Sequence, residues 1–287
     1  MERRRLGRTE HHSTVAILGA ACFARATPEE AEAGFTEALQ RGVNHLDIAP
    51  RYGAAEELIG PLLPAVRDKL FLACKTTRRN PGGVRAQAEE SLSRFGADHF
   101  DLYQMHAVTD LDVLEERAEA AEEILKMRDE GVTRFAGITG HNEQVPGAFL
   151  EALRRWDLDT VMFPVNARQW SDAAYRRDAE ALLEVCAERD LGVMAIKAAA
   201  KRPWGSGEGD RFATTWYEPW SEPEEVARGV AFTLSVPGVH AFCTPGDLRY
   251  LRFALDAADS FQALDAADRE SAIASAAALP TIFPITA

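Results

Sequence analysis

Short apolar runs recur along the chain, and each is followed by a stretch with the pattern of an amphipathic helix. The runs are largely apolar over their whole length, which is typical of strands buried on both faces of a sheet. They cover residues 14–20, 43–49, 70–76, 100–106, 133–139, 160–166, 192–198 and 238–244. The helical stretches carry start and stop signals, such as Thr27 with Pro28 before one of them and Gly42 after it. The pattern predicts eight strands alternating with helices.

This alternation favours one fold class. Eight strand–helix units in a chain of 287 residues predict an α/β fold of the (β/α)8, or TIM-barrel, type. An open doubly wound sheet has the same alternation, but it more often carries a glycine-rich GxGxxG loop after its first strand, and no such motif occurs. No linker or low-complexity tract divides the chain. We therefore predict a single barrel domain over residues 1–287.

Two segments fall outside the repeat. Residues 1–13 precede the first strand, and we predict that they form a short hairpin capping the bottom of the barrel. Residues 199–223 follow the seventh strand and are too long for a simple strand-to-helix connection. This second segment carries four aromatic residues among glycines, namely Trp204, Trp216, Tyr217 and Trp220. It is a candidate lid or substrate loop.

Composition excludes several classes of protein. The net charge of −13 disfavours non-specific contact with nucleic acid, because phosphate attraction needs a basic surface. No run approaches the roughly 20 apolar residues of a membrane span, and no signal peptide is recognisable. The cysteines are isolated and form no CxxC pair, so neither a zinc site nor a disulfide framework is indicated. They are Cys22, Cys74, Cys186 and Cys243. We expect a cytoplasmic protein without nucleic-acid or membrane partners.

Polar side chains stand where three consecutive predicted strands end. Asp47 ends the second strand and Tyr52 begins the following helix, while Lys75 ends the third strand and His106 the fourth. Active sites of (β/α)8 barrels lie at the C-terminal ends of the strands, so we expect these four side chains to share one pocket. Taken singly, each residue has a purely structural interpretation, but the four together are much more specific.

The four groups together can deliver a proton to a carbonyl. A free phenol, with a pKa of about 10, is a poor acid at neutral pH. A neighbouring ammonium stabilises the phenolate, so we expect Lys75 to lower the pKa of Tyr52. Asp47 would pair with Lys75 and hold it in place. His106 would hydrogen-bond the carbonyl oxygen or assist the proton.

Several stretches resemble the aldo-keto reductase family and run in the order found there. They are "RRLGRT", "DIAPRYG" followed by "EELIG", "LACKT", "SLSRFGADHFDLYQMH" and "EGVTRFAGITGH". The second half of the chain matches more loosely. The resemblance implies a (β/α)8 barrel that reduces aldehyde or ketone carbonyls of small molecules with NADPH or NADH. It further implies that Tyr52 is the general acid and that Asp47, Lys75 and His106 complete the catalytic set.

The resemblance also implies contacts to the cofactor. Thr139 replaces a serine that holds the nicotinamide carboxamide, and Asn166 is the second carboxamide partner. Lys197 would face the pyrophosphate. Arg249 and Arg252 are the candidate ligands of the NADP 2′-phosphate. Family frequency favours NADPH, with NADH as the alternative.

Some positions depart from the family pattern. Gly140 stands where an asparagine amide is usual. Ala167 stands where a glutamine is usual, which leaves Gln169 as the nearby candidate to replace it. Asp247 either caps the following helix or hydrogen-bonds a ribose hydroxyl, and the second arrangement would disfavour a phosphate.

Two other functions compete with a reductase. The first is a cofactor-sensing subunit of a larger assembly, with little turnover. The second is a metal-dependent barrel hydrolase. Its candidate ligands would be His45, Asp47, His106 and His141. Against the hydrolase, His45 lies deeper in its strand than Asp47, and Lys75 and Tyr52 would have no role. A reductase without a bound metal is the favoured interpretation.

Overall fold

The computed structural model describes residues 1–205, 207 and 214–283, and its central feature is a closed barrel of eight parallel strands. The chain forms twelve strands in these residues, and the barrel order is β12-β3-β4-β5-β6-β7-β8-β9. The strands are β1 Arg3–Arg5, β2 His12–Thr14, β3 Ala16–Gly19, β4 His45–Asp47, β5 Phe71–Thr76, β6 Phe100–Met105, β7 Thr133–Thr139, β8 Thr160–Pro164, β9 Gly192–Ile196, β10 Ala200–Arg202, β11 Glu218–Pro219 and β12 Ala241–Cys243. The predicted (β/α)8 fold is confirmed, and every apolar run contains one barrel strand.

Helices follow the barrel strands around the outside. They are α1 Pro28–Gln40, α2 Ala55–Ile59, α3 Pro81–Phe95, α4 Leu111–Glu116, α5 Ala118–Asp129, α6 Val145–Arg155, α7 Ala167–Trp170, α8 Ala173–Glu188, α9 Pro223–Ser235, α10 Leu251–Asp259 and α11 Ala266–Ala276. Helix α1 shows why Thr27 and Pro28 correctly predicted the start of a helix. The Thr27 side chain accepts a hydrogen bond from the backbone N–H of Glu30, and the Glu30 side chain accepts one from Thr27, which forms a capping box. None of the helices in the described ranges has the length and apolar character needed to cross a membrane.

The lower end of the barrel is filled and closed. Strands β1 and β2 pair as the predicted antiparallel hairpin. Leu6, in the turn of this hairpin, is fully buried in a cluster of barrel side chains. That cluster also contains Ile17, Phe71, Ala73, Leu102, Met162, Met194 and Ala241. Apolar side chains thus fill much of the barrel interior at this end, whereas Asp47 and Lys75 stand at or near the C-terminal ends of their strands.

The segment after β9 folds back across the C-terminal mouth. Strand β10 pairs antiparallel with β11, and the Trp204 indole N–H donates to the Thr215 carbonyl at 2.9 Å. The Thr214 hydroxyl donates to the Ala21 carbonyl at 3.2 Å and also contacts the Gly246 carbonyl. Residues 214–217 therefore reach from one side of the mouth to the other. Residues 206 and 208–213 of this candidate lid lie outside the described residues.

Candidate active site

Asp47, Lys75 and Tyr52 meet at the C-terminal mouth of the barrel. Asp47 ends β4, and Lys75 lies near the end of the neighbouring β5. The Lys75 ammonium contacts an Asp47 carboxylate oxygen and donates to the Tyr52 hydroxyl at 3.2 Å and to the Ile48 carbonyl at 3.3 Å. Both charged side chains are almost fully buried. The phenol therefore shares the lysine with the carboxylate.

Tyr52 reaches this position through a tight turn after β4. Its backbone N–H donates to the Ala49 carbonyl at 3.0 Å. The next residue, Gly53, has φ +51, and a β-carbon there would lie against the backbone of Ala24. A side chain at this position would clash with the loop that follows β3. The glycine of the "DIAPRYG" motif thus allows the turn that aims the tyrosine at Lys75.

His106 stands beside the tyrosine. It follows β6 directly, and its backbone N–H donates to the Thr76 carbonyl at 2.8 Å. Its ring meets the Tyr52 ring edge-on, with the centroids 5.7 Å apart and the planes at 87°. The buried Nδ1 atom of His106 has no hydrogen-bond partner in the described part of the chain. The four residues singled out from the sequence therefore lie together.

The acid-base balance differs from the expectation in one respect. Burial raises the pKa of the Tyr52 phenol above its ordinary value; Asp47 acts in the same direction, while Lys75 opposes it. Lys75 thus acts on this pKa in the expected direction, but the expected net lowering is wrong, because the loss of water around the phenol outweighs one ammonium. Tyr52 is a neutral phenol at neutral pH, which is the form that can donate a proton.

The lysine and the carboxylate form an ion pair. Burial by itself would lower the pKa of Lys75, but the charges of Asp47 and Tyr52 outweigh it and the pKa is raised. Burial raises the pKa of Asp47, and Lys75 opposes that effect. The raised pKa values therefore favour the charged form of Lys75 and disfavour the charged form of Asp47. The ammonium stands ready to compensate a negative charge that develops on the phenol oxygen.

Two histidines at the mouth are held neutral. Burial, followed by the positive charge of Lys75, lowers the pKa of His106. Burial, followed by Lys197 and Lys75, does the same for His141. Neither ring nitrogen of His141 has a hydrogen-bond partner in the described residues. Neutral imidazoles can donate and accept hydrogen bonds here, but they are weak sources of a proton.

Gln104 is a member of the site that the sequence reasoning missed. Its amide nitrogen donates to the second Asp47 carboxylate oxygen at 3.3 Å. Strand β6 carries Gln104 two residues before His106, so both side chains face the barrel interior. This alternation was the signal that would have found it. The residue steadies the carboxylate that holds Lys75.

The metal-hydrolase alternative is not supported by the structure. His45 lies in the lower half of the barrel, where its ring contacts the Phe71 ring and its Nδ1 is 3.0 Å from the Ser13 hydroxyl. Asp47, by contrast, is bound to Lys75 at the mouth. Across the ranges that the structure describes, no group of three or more His, Cys, Asp or Glu side chains could hold a metal ion. The proposed ligand set is therefore not assembled.

Thr139 and Asn166 lie at the same mouth. Thr139 is the buried last residue of β7. The Asn166 side chain caps α7 by accepting from the Gln169 N–H at 2.9 Å, and its amide donates to the Lys197 carbonyl at 3.3 Å. The Gln169 side-chain oxygen is buried without a partner among the described residues. Of these groups, Gln169 retains a free acceptor, whereas both ends of the Asn166 amide are occupied.

The glycine at 140 has a structural explanation. A β-carbon at Gly140 would run into the carbonyl oxygen of Val108 and would lie 3.0 Å from a Val145 methyl group. The loop after β6 thus occupies the space that an asparagine side chain would need.

Lys197 occupies an unusual position just after β9. Its backbone has φ +67, and its side chain is buried. The ammonium lies 4.6 Å from the centre of the Tyr217 ring, 5.8 Å from that of Trp216 and 5.4 Å from that of Phe283. Burial lowers the pKa of Lys197 to about 7.

Arg249 and Arg252 follow β12, the strand that neighbours β9 in the barrel. The Arg249 guanidinium donates to both carboxylate oxygens of Asp247, at 3.0 and 2.7 Å. Asp247 also accepts from the Arg249 backbone N–H at 3.1 Å, as a helix cap does. Arg252 is largely exposed, 3.7 Å from Glu37. Arg249 would have to share or leave Asp247 to meet a phosphate.

The remaining space between these groups is small. The cavity between Tyr52, His141, Lys197 and Trp216 measures about 60 Å³. For comparison, an engineered protein cavity of roughly 150 Å³ accommodates one benzene molecule. The polar groups around the mouth suit a nicotinamide nucleotide, because unpartnered donors and acceptors are present at His141 and Gln169. A whole nucleotide would not fit in this volume with residues 214–217 where they stand.

Comparison with known proteins agrees with this geometry. The model of the aldo/keto reductase family matches residues 16–208, which include Asp47, Tyr52, Lys75 and His106. The chain belongs to the aldo/keto reductase family. Membership indicates an oxidoreductase.

Individual relatives of this aldo/keto reductase are distant. The chain is 27% identical over 216 residues to the uncharacterized oxidoreductase YqkF of Bacillus subtilis, covering 70% of this chain and 66% of YqkF. It is 30% identical over 155 residues to L-galactose dehydrogenase of Arabidopsis thaliana, covering 49% of each. The aligned part thus spans at most about two thirds of these curated relatives.

Solved structures extend the likeness in fold to nearly the whole chain. Aldo-keto reductase AKR11C1 of Bacillus halodurans, in its holo form, is 22% identical, with 97% of both chains covered and a TM-score of 0.71. An aldo/keto reductase of Klebsiella pneumoniae, solved with NADP and acetate, is 20% identical, with 96% of this chain and 95% of that chain covered and a TM-score of 0.68. At these identities the structures show the shared barrel fold.

Proposed function

We propose that this protein reduces the carbonyl group of small aldehydes or ketones to an alcohol, using NADPH or NADH. One observation carries the proposal. The Tyr52 hydroxyl lies 3.2 Å from the Lys75 ammonium, which is itself paired with Asp47, at the open end of a barrel. A phenol with a buried cation beside it is a proton donor whose conjugate base is stabilised where it forms.

Tyr52 acts as the general acid in this proposal. When bound, the reduced nicotinamide supplies a hydride to the carbonyl carbon. Negative charge then grows on the carbonyl oxygen, and the Tyr52 hydroxyl donates its proton there. Lys75 compensates the charge that the phenol oxygen acquires. Asp47, steadied by Gln104, keeps the ammonium in place.

His106 positions the substrate. Its pKa is lowered, so the ring is neutral and serves as a hydrogen-bond partner for the carbonyl oxygen. The edge-on contact with Tyr52 sets the two side chains on the same side of the mouth. A carbonyl oxygen held between them is within reach of the phenolic proton.

The cofactor contacts are part of the same proposal. Thr139 and Gln169 would hold the carboxamide, and Asn166 would join them if its cap opened. Lys197 gains an anionic partner if the pyrophosphate passes beside it. Arg249 and Arg252 meet the 2′-phosphate, for which we favour NADPH over NADH.

The proposal is tested by following NADPH and NADH oxidation with a panel of aldehydes and ketones. We expect turnover that depends on Tyr52, and tighter binding of NADPH. Dinucleotide binding with negligible turnover over the whole panel would instead support a cofactor-sensing subunit.

A further inference from the structure

Lys197 has the surroundings of an amine nucleophile. It is more than nine-tenths buried, and three aromatic rings surround its ammonium. Burial lowers the pKa of Lys197, and no carboxylate of the described residues is paired with it. Lys201, four residues later, offers the contrast. That side chain also lies over an aromatic ring, of Trp220, but it donates to Glu218 at 2.9 Å.

The protonation of Lys197 is balanced near neutral pH. Loss of water disfavours the ammonium, which brings its pKa to about 7. The ring faces recover part of that loss through cation–π attraction. The other titratable groups at this cavity are His141, Tyr52, the Cys243 thiol, whose pKa burial raises, and Asp47 with its partner Lys75. None of them supplies a free negative charge to Lys197, so a substantial neutral fraction is present.

The backbone fixes the lysine where it stands. Its φ of +67 lies in the left-handed region, which is unfavourable for a residue other than glycine. The carbonyl of Lys197 accepts hydrogen bonds from the Asn166 amide and the Ala200 N–H. These contacts hold the turn and direct the side chain across the mouth instead of into solvent.

We propose that Lys197 forms a Schiff base with short-chain aldehydes in the dinucleotide-free protein. The amine lone pair attacks the carbonyl carbon, and the carbonyl oxygen takes up a proton. The resulting carbinolamine loses its hydroxyl group as water, which leaves an iminium ion. Amine, aldehyde and one proton thus give iminium and water, with no change of oxidation state. His141, whose ring nitrogens are both unpartnered in the described residues, can carry the protons.

The size of the cavity selects the aldehyde. A volume of about 60 Å³ admits a molecule of only a few heavy atoms. Ile196, Trp216 and Tyr217 give the wall apolar surface, which suits a short alkyl chain. This activity needs neither nucleotide nor hydride, so it is separate from the proposed reduction. Binding of a dinucleotide would open the loop and give Lys197 an anionic partner, which ends the activity.

The test is competitive labelling of the full chain after removal of bound nucleotide. The protein is treated at neutral pH with limiting propanal and cyanoborohydride, which reduces an iminium to a stable propylamine. Labelling rates are then measured for each lysine-containing peptide by mass spectrometry. An amine of pKa about 7 has roughly 10³ times the neutral fraction of an ordinary lysine at pH 7. Allowing for restricted access, we expect Lys197 to label at least about tenfold faster than Lys201 and Lys126.

The controls separate this activity from surface chemistry. Lys201→Met should leave the fast label in place, and Lys197→Met should remove it. A Lys197 peptide that labels no faster than the Lys201 peptide in the unaltered protein overturns the proposal, whether or not the variants fold. Equal labelling of Lys197 by the branched 2,2-dimethylpropanal overturns its assignment to this cavity. Labelling of Lys197 in a protein that oxidises neither NADPH nor NADH with any carbonyl of the panel would reject the reductase and leave the Schiff base standing.

Discussion

Replacing Tyr52 and Lys75 separately and together tests whether the two residues act in one chemical step. Tyr52→Phe removes the proton donor and keeps the ring that packs beside His106. General acid catalysis is worth about 10²–10⁴-fold, or roughly 3–5 kcal/mol of activation free energy. We therefore expect kcat to fall by that factor, with dinucleotide affinity unchanged.

Lys75→Met should act on the same barrier through the charge on the phenol oxygen. The ammonium lies 3.2 Å from that oxygen. Two unit charges about 4 Å apart interact by roughly 4 kcal/mol at an effective dielectric constant of 20. Because the proton is only partly transferred in the transition state, we expect a loss of about 10–10³-fold. Without a phenol there is no such charge, so the double variant should be no slower than Tyr52→Phe.

The assay is single-turnover oxidation of NADPH, with a deuterium isotope effect to establish that hydride transfer limits the rate. Tyr103→Phe is the matched control, since Tyr103 is also a buried tyrosine but packs on Phe100. Lys75→Met leaves Asp47 buried without its partner, so its folding must be checked by circular dichroism. Near-normal turnover in Tyr52→Phe under these conditions, or a double variant whose loss is the product of the single losses, would refute the mechanism.

Three further predictions follow from charges and burial. Arg249→Ala with Arg252→Ala should weaken NADPH binding about tenfold, or roughly 1.4 kcal/mol, and leave NADH binding nearly unchanged; equal losses for both nucleotides in a fluorescence titration would argue against a 2′-phosphate site. Burial raises the pKa of Tyr52 and lowers that of His106, so kcat under chemistry-limited conditions should be flat from about pH 6.5 to 9 and fall only as the phenol ionises; a decline below pH 9 would contradict this assignment. Burial lowers the pKa of His11 to about 4, whereas in the unfolded chain the imidazole binds a proton near pH 6.5, so the free energy of unfolding should fall by up to about 3 kcal/mol as the pH falls from 6.5 to 4. In urea unfolding, His11→Gln should show a shallower dependence of stability on pH. An unchanged dependence would assign the loss to other groups.

The sequence by itself determined the architecture and the meeting of Asp47, Tyr52, Lys75 and His106, whereas Gln104 was found only in the structure. Short apolar runs are typical of interior strands, and eight of them alternating with helices favour a barrel. A barrel of parallel strands brings all the strand ends to one face. Asp47, Lys75 and His106 therefore had to converge, whatever the details of packing.

Only the tertiary structure decided the electrostatics and the access to the site. The pKa of Tyr52 depends on how much water the loop of residues 214–217 excludes, and no local pattern encodes that. The partner of Arg249 is a neighbouring aspartate in the same loop, which its spacing alone left open. Lys197 is set apart from Lys201 by three rings and by the lack of a paired carboxylate in the described residues. The burial and the ion pairing of a side chain depend on contacts between segments that are distant in the chain, so only the folded structure could reveal them.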